Sequence, residues 1–303
     1  MKKFLSLILA ALLALACAAC AEEYVITASA PSGAPALALA TIAVENPENF
    51  TFVAAETISA EFANQNSDFI VAPVNAGAKL YKMGKSTYKL AGVVSWGNLY
   101  IASQKEGFTL ESLNGATVTL FGENTINAAV VEYALKQNGI EPAAIEYLGS
   151  AANTQSLLLS DAEAIVVTAE PALTAAKMKN SAITAYAVND LYQAATGFEG
   201  YTQAALFVKA ETIEKHPEAV NAFIAAVEAS CGKATTDVEA VANAAVALEI
   251  LPNAKVAMSA IPGCAVRFVG AAEAREQIEF TASIDLSQFG GALPADDFYY
   301  VAE

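Results

Sequence analysis

Histidine and arginine are scarce in this 303-residue chain, which limits the catalytic sites that it can build. It contains one histidine, His216, and the only arginines are Arg267 and Arg275. A serine–histidine–acid triad or a histidine-containing metal site would have to use His216. His216 stands beside Pro217, which predicts the first turn of a helix. We therefore interpret His216 as a solvated surface residue, and we expect neither an enzyme nor a bound metal or cofactor.

Cysteine is also infrequent, with four in the whole chain. The two downstream residues, Cys231 and Cys264, do not have the C-x-x-C spacing of a redox motif. Cys231 extends an apolar stripe of helical spacing that includes Val220 and Val227, which predicts that it is buried. Our main interpretation is two unpaired core thiols. A Cys231–Cys264 disulfide is the alternative, because export would permit one.

Basic residues are outnumbered by acidic ones, 16 to 32, which gives a formal net charge of −16. A protein of this charge does not bind nucleic acid by neutralising phosphates. The adjacent carboxylates Asp296 and Asp297 lie in the extended tail "GGALPADDFYY", where neighbouring side chains point apart. They therefore predict a turn or a cap and not an acid–base pair.

The N-terminal segment, residues 1–21, is typical of a secretory signal peptide. Lys2 and Lys3 precede an apolar run that is too short to span a membrane, and small residues follow. We therefore expect an exported protein at the cell surface or in the periplasm.

Two processing sites fit the end of this signal. Ala19-Cys20-Ala21 matches the A-x-A cleavage pattern and would release a soluble protein. Small residues before Cys20, or before Cys17, instead indicate lipid attachment to a cysteine. We favour a lipoprotein modified at Cys20, with Cys17 as the alternative, anchored to the outer face of the cytoplasmic membrane.

Strand-like and helix-like segments alternate along most of the chain, which predicts α/β sheets covered by helices. Only about the last 60 residues lose this alternation and predict helices. Strands are predicted at 23–28, 50–54, 69–72, 88–94, 99–103, 116–121, 164–168, 183–187 and 204–209. Helices are predicted at 35–44, 57–64, 74–83, 126–138, 151–160, 171–178 and 217–231.

A short loop follows the first strand-like run in "ITASAPSGAPALALA", residues 26–40. Its single glycine, Gly33, lies between Pro31 and Pro35, so the loop is neither G-x-G-x-x-G nor a P-loop. A helix that starts here presents unpaired N–H groups to a polar ligand. Similar loops, "PVNAG" and "GENT", follow two later strands.

An ordered series of segments covers nearly all of the chain after the signal. It resembles the periplasmic-type solute-binding proteins of ABC importers, in the branch that serves nitrate, sulfonates, taurine and thiamine precursors, and within it a bacterial lipoprotein subgroup. The segments are "DFIVAPVNAGAKLYKMGKSTYKLAGVVSWGNLYIAS", "LNGATVTLFGENTINAAVVEYALKQNGI", "SDAEAIVVTAEPALTAA", "YTQAALFVKAETIEKHPEAVNAFIAAVEAS" and "FGGALPADDFYY".

The resemblance implies the two-lobe type II periplasmic binding protein fold. Each lobe would be a mixed sheet flanked by helices, with a cleft between the lobes. The first lobe would contain residues 22–98, the second residues 99–204, and the chain would return to the first lobe over 205–303 with a helical C-terminal tail.

Loops at the carboxyl ends of strands line the cleft of such folds, which selects the candidate ligand-binding residues. For Ser32, Thr125 and Glu170 the alternative is helix capping, and for Trp96 it is buried packing at the crossover between lobes. The candidates are Ser32, Gly33, Ala34, Asn75, Ala76, Trp96, Gly122, Asn124, Thr125, Glu170 and Tyr201.

The expected partners are a small solute and an ABC permease in the membrane, with the binding protein itself a monomer. Arg267 and Arg275 fall in the predicted helical C-terminal part, away from the cleft loops, so no arginine is available to clamp a carboxylate. This favours a neutral or cationic organic solute. The alternative function is an enzyme on the same fold, similar to pyrimidine synthases or menaquinone-pathway proteins.

Overall fold

A computed structural model describes residues 24–301, and it places eleven strands of this range in two mixed sheets. The predicted signal peptide and the lipidation candidates Cys17 and Cys20 lie outside the described residues. The strands are β1 Ala28–Pro31, β2 Phe50–Val53, β3 Phe69–Pro73, β4 Tyr88–Ser95, β5 Leu99–Ser103, β6 Thr117–Phe121, β7 Ala144–Leu148, β8 Ile165–Ala169, β9 Thr184–Ala187, β10 Ala204–Lys209 and β11 Val266–Gly270.

The six-stranded sheet has the order β11-β4-β10-β3-β1-β2. Strands β1, β2 and β3 are parallel, whereas β10 is antiparallel to both β3 and β4, and β11 is antiparallel to β4. Its strands come from the chain before residue 96 and after residue 203. Pro31 and Pro73 end two parallel strands beside Ala204, which begins β10, so all three lie at one edge of the sheet.

The five-stranded sheet has the order β7-β6-β8-β5-β9 and is built entirely from residues 99–187. Strands β6, β7 and β8 are parallel, and β5 runs antiparallel to β8 and β9. The chain therefore leaves the six-stranded sheet after β4 and returns to it at β10.

Twelve α-helices within the described range cover the sheets, together with short 3₁₀ turns. The α-helices are α1 Ala40–Ala43, α2 Glu61–Asn64, α3 Val74–Lys82, α4 Ile126–Gln137, α5 Ala151–Ser160, α6 Ala172–Lys179, α7 Val188–Thr196, α8 Ala210–Lys215, α9 Pro217–Thr236, α10 Val238–Ala247, α11 Ala254–Ala260 and α12 Ala271–Ile284. The 3₁₀ turns are Ala34–Ala38, Pro47–Asn49, Ile58–Ala60, Leu110–Leu113, Ile261–Cys264, Leu286–Phe289 and Asp296–Phe298.

Local sequence signals account for several helix ends. Pro217 begins α9, as predicted, where its missing N–H is not needed. Asn138 caps the end of α4, and Gly139 follows with a φ of 69°, a left-handed conformation that glycine adopts readily. Asn253 is the N-cap of α11, where its side chain accepts a hydrogen bond from the Val256 amide.

The C-terminal region departs from the all-helical expectation. Strand β11 lies within it and pairs with β4, so Arg267 is on a strand and not on a helix. The first strand also lies later than predicted, at Ala28–Pro31, and β7 was not predicted. The helix expected at 35–44 is a 3₁₀ turn, Ala34–Ala38, followed by the short α1.

The carboxylate of Asp68 fastens the N-terminal end of the described chain to the six-stranded sheet. Asp68 is 7% exposed and accepts hydrogen bonds from Tyr24 Oη at 2.8 Å and from Thr212 Oγ1 at 2.7 Å. Both the amide and the hydroxyl of Thr27 donate to its other oxygen at 2.9 Å. Tyr24 also stacks on His216, with ring centroids 3.6 Å apart, and His216 is half-buried. The prediction that His216 is a solvated surface residue is therefore wrong.

We expect Asp68→Ala to lower the free energy of unfolding by roughly 3 kcal/mol, because buried donors lose a charged partner. Burial raises the pKa of the Asp68 carboxyl, but the hydrogen bonds from Thr27, Thr212 and Tyr24 outweigh it and hold the pKa below its ordinary value. The ionised carboxylate thus stabilises the protein at pH values above the ordinary pKa of aspartate. This contribution is lost as the pH falls through the lowered pKa of the folded state.

Urea unfolding of Asp68→Ala between pH 3 and pH 7 measures this contribution, with the exposed Glu45→Ala as the control. The difference between wild type and Asp68→Ala should shrink at the acid end. A difference that is the same at every pH would show that the charge of Asp68 is not what stabilises the fold.

Cys231 and Cys264 are both buried and free, so the possible disulfide between them is not formed. Instead, the Cys264 thiol donates to the carbonyl of Ala260 one helical turn earlier, at 3.3 Å. Burial raises the pKa of the Cys231 thiol to about 12 and also raises that of Cys264. Both thiols are therefore protonated and inert in the folded protein.

Iodoacetamide at pH 8 should leave the peptides that contain Cys231 and Cys264 unmodified in the native protein and alkylate both after unfolding in urea. Peptide mapping by mass spectrometry gives the extent at each site separately. A peptide mass two hydrogens short, with Cys231 joined to Cys264, would contradict the free-thiol structure.

Candidate ligand cleft between the two sheets

Two chain crossovers join the sheets, and buried polar side chains link them to each other. The first crossover runs from Trp96 to Asn98, and the second ends at Gln203. The Gln203 amide accepts from Ser95 Oγ at 3.1 Å and donates to Asn98 Oδ1 at 3.0 Å. Asn98 Nδ2 in turn donates to the carbonyl of Glu170 at 2.8 Å. A continuous hydrogen-bonded chain therefore connects both crossovers to the end of β8.

Asn189 on α7 forms a second set of hydrogen bonds with the first crossover. Its Nδ2 donates to the carbonyls of Trp96 and Gly97 at 2.9 and 3.0 Å. The two crossovers touch here, because a Cβ placed on Gly200 would lie 2.3 Å from the Trp96 carbonyl oxygen. Only glycine fits at position 200 while that contact is kept.

Gly200→Ala should lower the free energy of unfolding by about 1–3 kcal/mol, because the added methyl meets a backbone carbonyl that is itself hydrogen-bonded. The matched control is Gly232→Ala in α9, where a Cβ meets nothing within 4 Å and should stabilise the helix by about 1 kcal/mol. Thermal or urea unfolding compares the two. Equal effects of the two substitutions would mean that the crossovers are not in tight contact.

Beside the crossovers lies a cleft of about 360 Å³ between the two sheets. Its walls include the loop that follows β1 and the first turn of α3 on one side, and the start of α4 on the other. The lining residues are Pro31, Ser32, Pro35, Ala55, Ile58, Ser59, Pro73, Asn75, Ala76, Thr125, Ile126, Asn127, Gln203, Ala204 and Gln288. Four sequence-predicted residues are brought together here: Ser32, Asn75, Ala76 and Thr125.

The lining of this cleft carries neither a charged nor an aromatic side chain. Its polar groups are side-chain amides and hydroxyls. Asn75, on the side of the six-stranded sheet, and Asn127, on the other, each have a buried side-chain oxygen without a hydrogen-bond partner. Such unpaired amide groups cost free energy until a ligand or a water satisfies them. The cleft can therefore hold a small polar molecule by hydrogen bonds without forming an ion pair.

The remaining predicted loop residues shape the walls and are not among the lining residues. Gly33, at a φ of 107°, and Ala34 start the 3₁₀ turn behind Ser32. On the opposite loop, Gly122 and Asn124 have φ values of 73° and 58°, so both occupy the left-handed region. Thr125 caps α4 as the alternative interpretation proposed, and it still faces the cleft.

Trp96 and Tyr201 are buried at the crossovers, at 1% and 0% exposure. Trp96 donates to the carbonyl of Arg267, whose guanidinium lies 4.4 Å from the centre of the indole ring and pairs with Glu199 at 2.5 Å. Arg267 thus contacts Trp96, one of the predicted site residues, although it is not among the residues that line the cleft. Neither aromatic residue lines the cleft, and ligand contact by them stays a prediction.

Glu170 is buried at the end of β8 and caps α6. Its carboxylate accepts from the Thr174 amide at 3.1 Å and from the Thr174 hydroxyl at 2.8 Å. Burial raises the pKa of Glu170, although the bonds from Thr174 partly oppose that rise. The structure places Glu170 beside Gly263 and Tyr100, outside the cleft lining.

Sequence reasoning missed Ser59, Asn127, Gln203 and Gln288. Asn127 is two residues after Thr125, so extending the predicted loop into the first two positions of the helix would have included it. Gln203 and Gln288 reach the cleft from distant parts of the chain, and no local signal identifies them.

Within residues 24–301, none of the helices combines the length and the hydropathy that a membrane span requires. The same residues contain no group of three or more histidine, cysteine, aspartate or glutamate side chains arranged to hold a metal ion.

Comparison with known proteins identifies the family. Residues 60–240 match the model described as NMT1/THI5 like, which is more than half of the chain. The chain belongs to the NMT1/THI5-like family. No curated protein matches it.

Solved structures share the fold over nearly the whole chain. An ABC transporter from Parabacteroides distasonis has a TM-score of 0.79 at 24% identity, covering 93% of this chain and 100% of its own. The periplasmic aliphatic sulphonate binding protein SsuA from Escherichia coli has a TM-score of 0.70 at 15% identity, covering 92% of both chains. A putative nitrate transport protein from Thermoplasma volcanium has a TM-score of 0.54 at 12% identity, covering 88% of this chain and 95% of its own. The fold is that of the periplasmic binding proteins.

Proposed function

We propose that this protein is the extracytoplasmic solute-binding component of an ABC importer. The observation that carries the proposal is the polar cleft between two sheets joined by two crossovers, with walls from both sides. Binding rather than catalysis is supported by the solved neighbours, whose names describe an ABC transporter and a sulphonate binding protein. The partner would be a membrane permease, and the binding protein would act as a monomer.

We divide the molecule into two lobes for this function. Residues 22–98 and 205–303 would form one lobe, and residues 99–204 the other. Solute that contacts both Asn75 and Thr125 would bridge the lobes and shift an open–closed equilibrium toward the closed form. The permease would then recognise the closed form. Anchoring through a lipid on Cys20, or on Cys17 instead, would keep the protein beside the permease.

The solute that fits this cleft best is neutral and polar. A sulfonate or carboxylate would meet no cation in the lining, and a cationic solute would meet no carboxylate. Amide groups of Asn75 and Asn127 instead offer hydrogen bonds from both walls. The missing aromatic platform argues against a solute that is recognised by stacking.

A thermal-shift screen of neutral amides, ureides, polyols and vitamins, alongside sulfonates, carboxylates and amines, tests this proposal. A ligand that binds only the folded protein raises its melting temperature. We expect neutral polar compounds to be selected and salt to have little effect on their binding. Selection of sulfonates alone would overturn the neutral assignment, and no hit in any class would count against the solute-binding proposal.

For any hit, Asn75→Ala should weaken binding by about tenfold, the cost of one lost hydrogen bond to a ligand group left unpaired. The melting temperature without solute should change little, because the Asn75 oxygen has no partner to lose. Asn243→Ala on the exposed face of α10 is the matched control. Calorimetric titration that gives equal affinity for Asn75→Ala and wild type would place the site elsewhere.

A further inference from the structure

The segment that follows the last helix reaches across the mouth of the cleft. Helix α12 packs along β4 of the six-stranded sheet, and the 3₁₀ turn Leu286–Phe289 comes directly after it. From this turn, Gln288 Nε2 donates to the carbonyl of Asn124 at 2.9 Å. Asn124 belongs to the loop between β6 and α4, so this single hydrogen bond joins opposite walls of the cleft.

Gln288 and Asn124 are each held in place by packing or hydrogen bonds within their own wall of the cleft. Phe289, next to Gln288, is 1% exposed, and the turn packs on α3. Asp285 Oδ1 accepts from the amide and the hydroxyl of Ser287, which fixes the start of the turn. On the other side, Thr125 Oγ1 donates to the Gly122 carbonyl at 2.6 Å and holds the Asn124 loop against α4. Movement of one wall relative to the other therefore has to stretch the Gln288–Asn124 bond.

A second contact between the same two sides lies deeper and is of a different kind. The half-buried ring of Phe280 on α12 packs against Tyr133, Tyr192 and Phe198, with ring centroids 6.0, 6.2 and 5.5 Å apart. Contacts among aromatic rings tolerate small displacements, because several offset and edge-on geometries have similar energies. A hydrogen bond weakens steeply when its length or angle changes. The aromatic contact thus permits the walls to move, whereas the Gln288 bond favours one position.

We propose that Gln288 is a latch that holds the cleft closed through the Asn124 carbonyl. The inference rests on the proposed function, since it assumes that closure of this cleft retains a solute. Gln288 itself lines the cleft, so its side chain lies beside the space for the solute while its amide spans the rim. The latch and the solute would stabilise the same closed arrangement.

The test is made on the protein without solute, so that it does not depend on which solute is bound. Gln288→Ala removes the donor, and Gln288→Glu keeps the shape but replaces the donor with oxygens that face the Asn124 carbonyl. Gln193→Ala, at an exposed position of α7, is the matched control. Hydrogen–deuterium exchange reports how often residues 122–128 open, and small-angle scattering reports the radius of gyration.

Both Gln288 variants should speed exchange in residues 122–128 about fivefold, the change in population expected from one hydrogen bond of ordinary net strength. The radius of gyration should rise as well, and Gln193→Ala should match wild type in both measurements. Wild-type exchange and scattering in both Gln288 variants would overturn the latch. If that occurs while solute still binds, only the latch fails. If the latch is found but no compound binds, only the proposed function fails.

Discussion

The hydrogen bonds that tie the two crossovers together link the six-stranded sheet to the five-stranded sheet. Ser95 precedes the first crossover, Asn98 is its last residue, and Gln203 of the second crossover forms hydrogen bonds with both. The side chains are largely withdrawn from water, so the loss of one partner leaves another buried group unpaired. This network therefore holds the two sheets together at the side of the cleft where the crossovers lie.

The cleft forms where polar loop residues meet at the facing edges of two sheets. Parallel strands bring Pro31 and Pro73 to one edge, and the helix start at Thr125 faces them from the other sheet. Strand ends are suited to this role because the following helices leave amide groups unpaired. Since Gln203 both lines the cleft and joins the crossovers, a solute that touches it would contact the connection between the two sides directly.

Much of the fold could be predicted from the alternation of apolar segments, and the exceptions have physical causes. Strand β7 is a half-buried edge strand, so its apolar residues give only a weak strand pattern. Strand β11 was not predicted because Arg267 interrupts its apolar pattern. In the cleft, Ser32 and Asn75 were found because they follow strands directly. Gln288 was not, because its position depends on packing between segments more than a hundred residues apart. Whether Trp96 was buried or faced a ligand could not be decided, since an aromatic residue at a crossover suits both.

The uncharged lining has a consequence for the surroundings in which the protein can work. Capture by the amides and hydroxyls of the proposed site would involve no group that gains or loses a proton between weakly acidic and weakly alkaline conditions. It would also involve no ion pair that dissolved salt would screen. At the proposed location outside the cell membrane, where acidity and salinity vary, such a cleft would keep a nearly constant affinity for its solute.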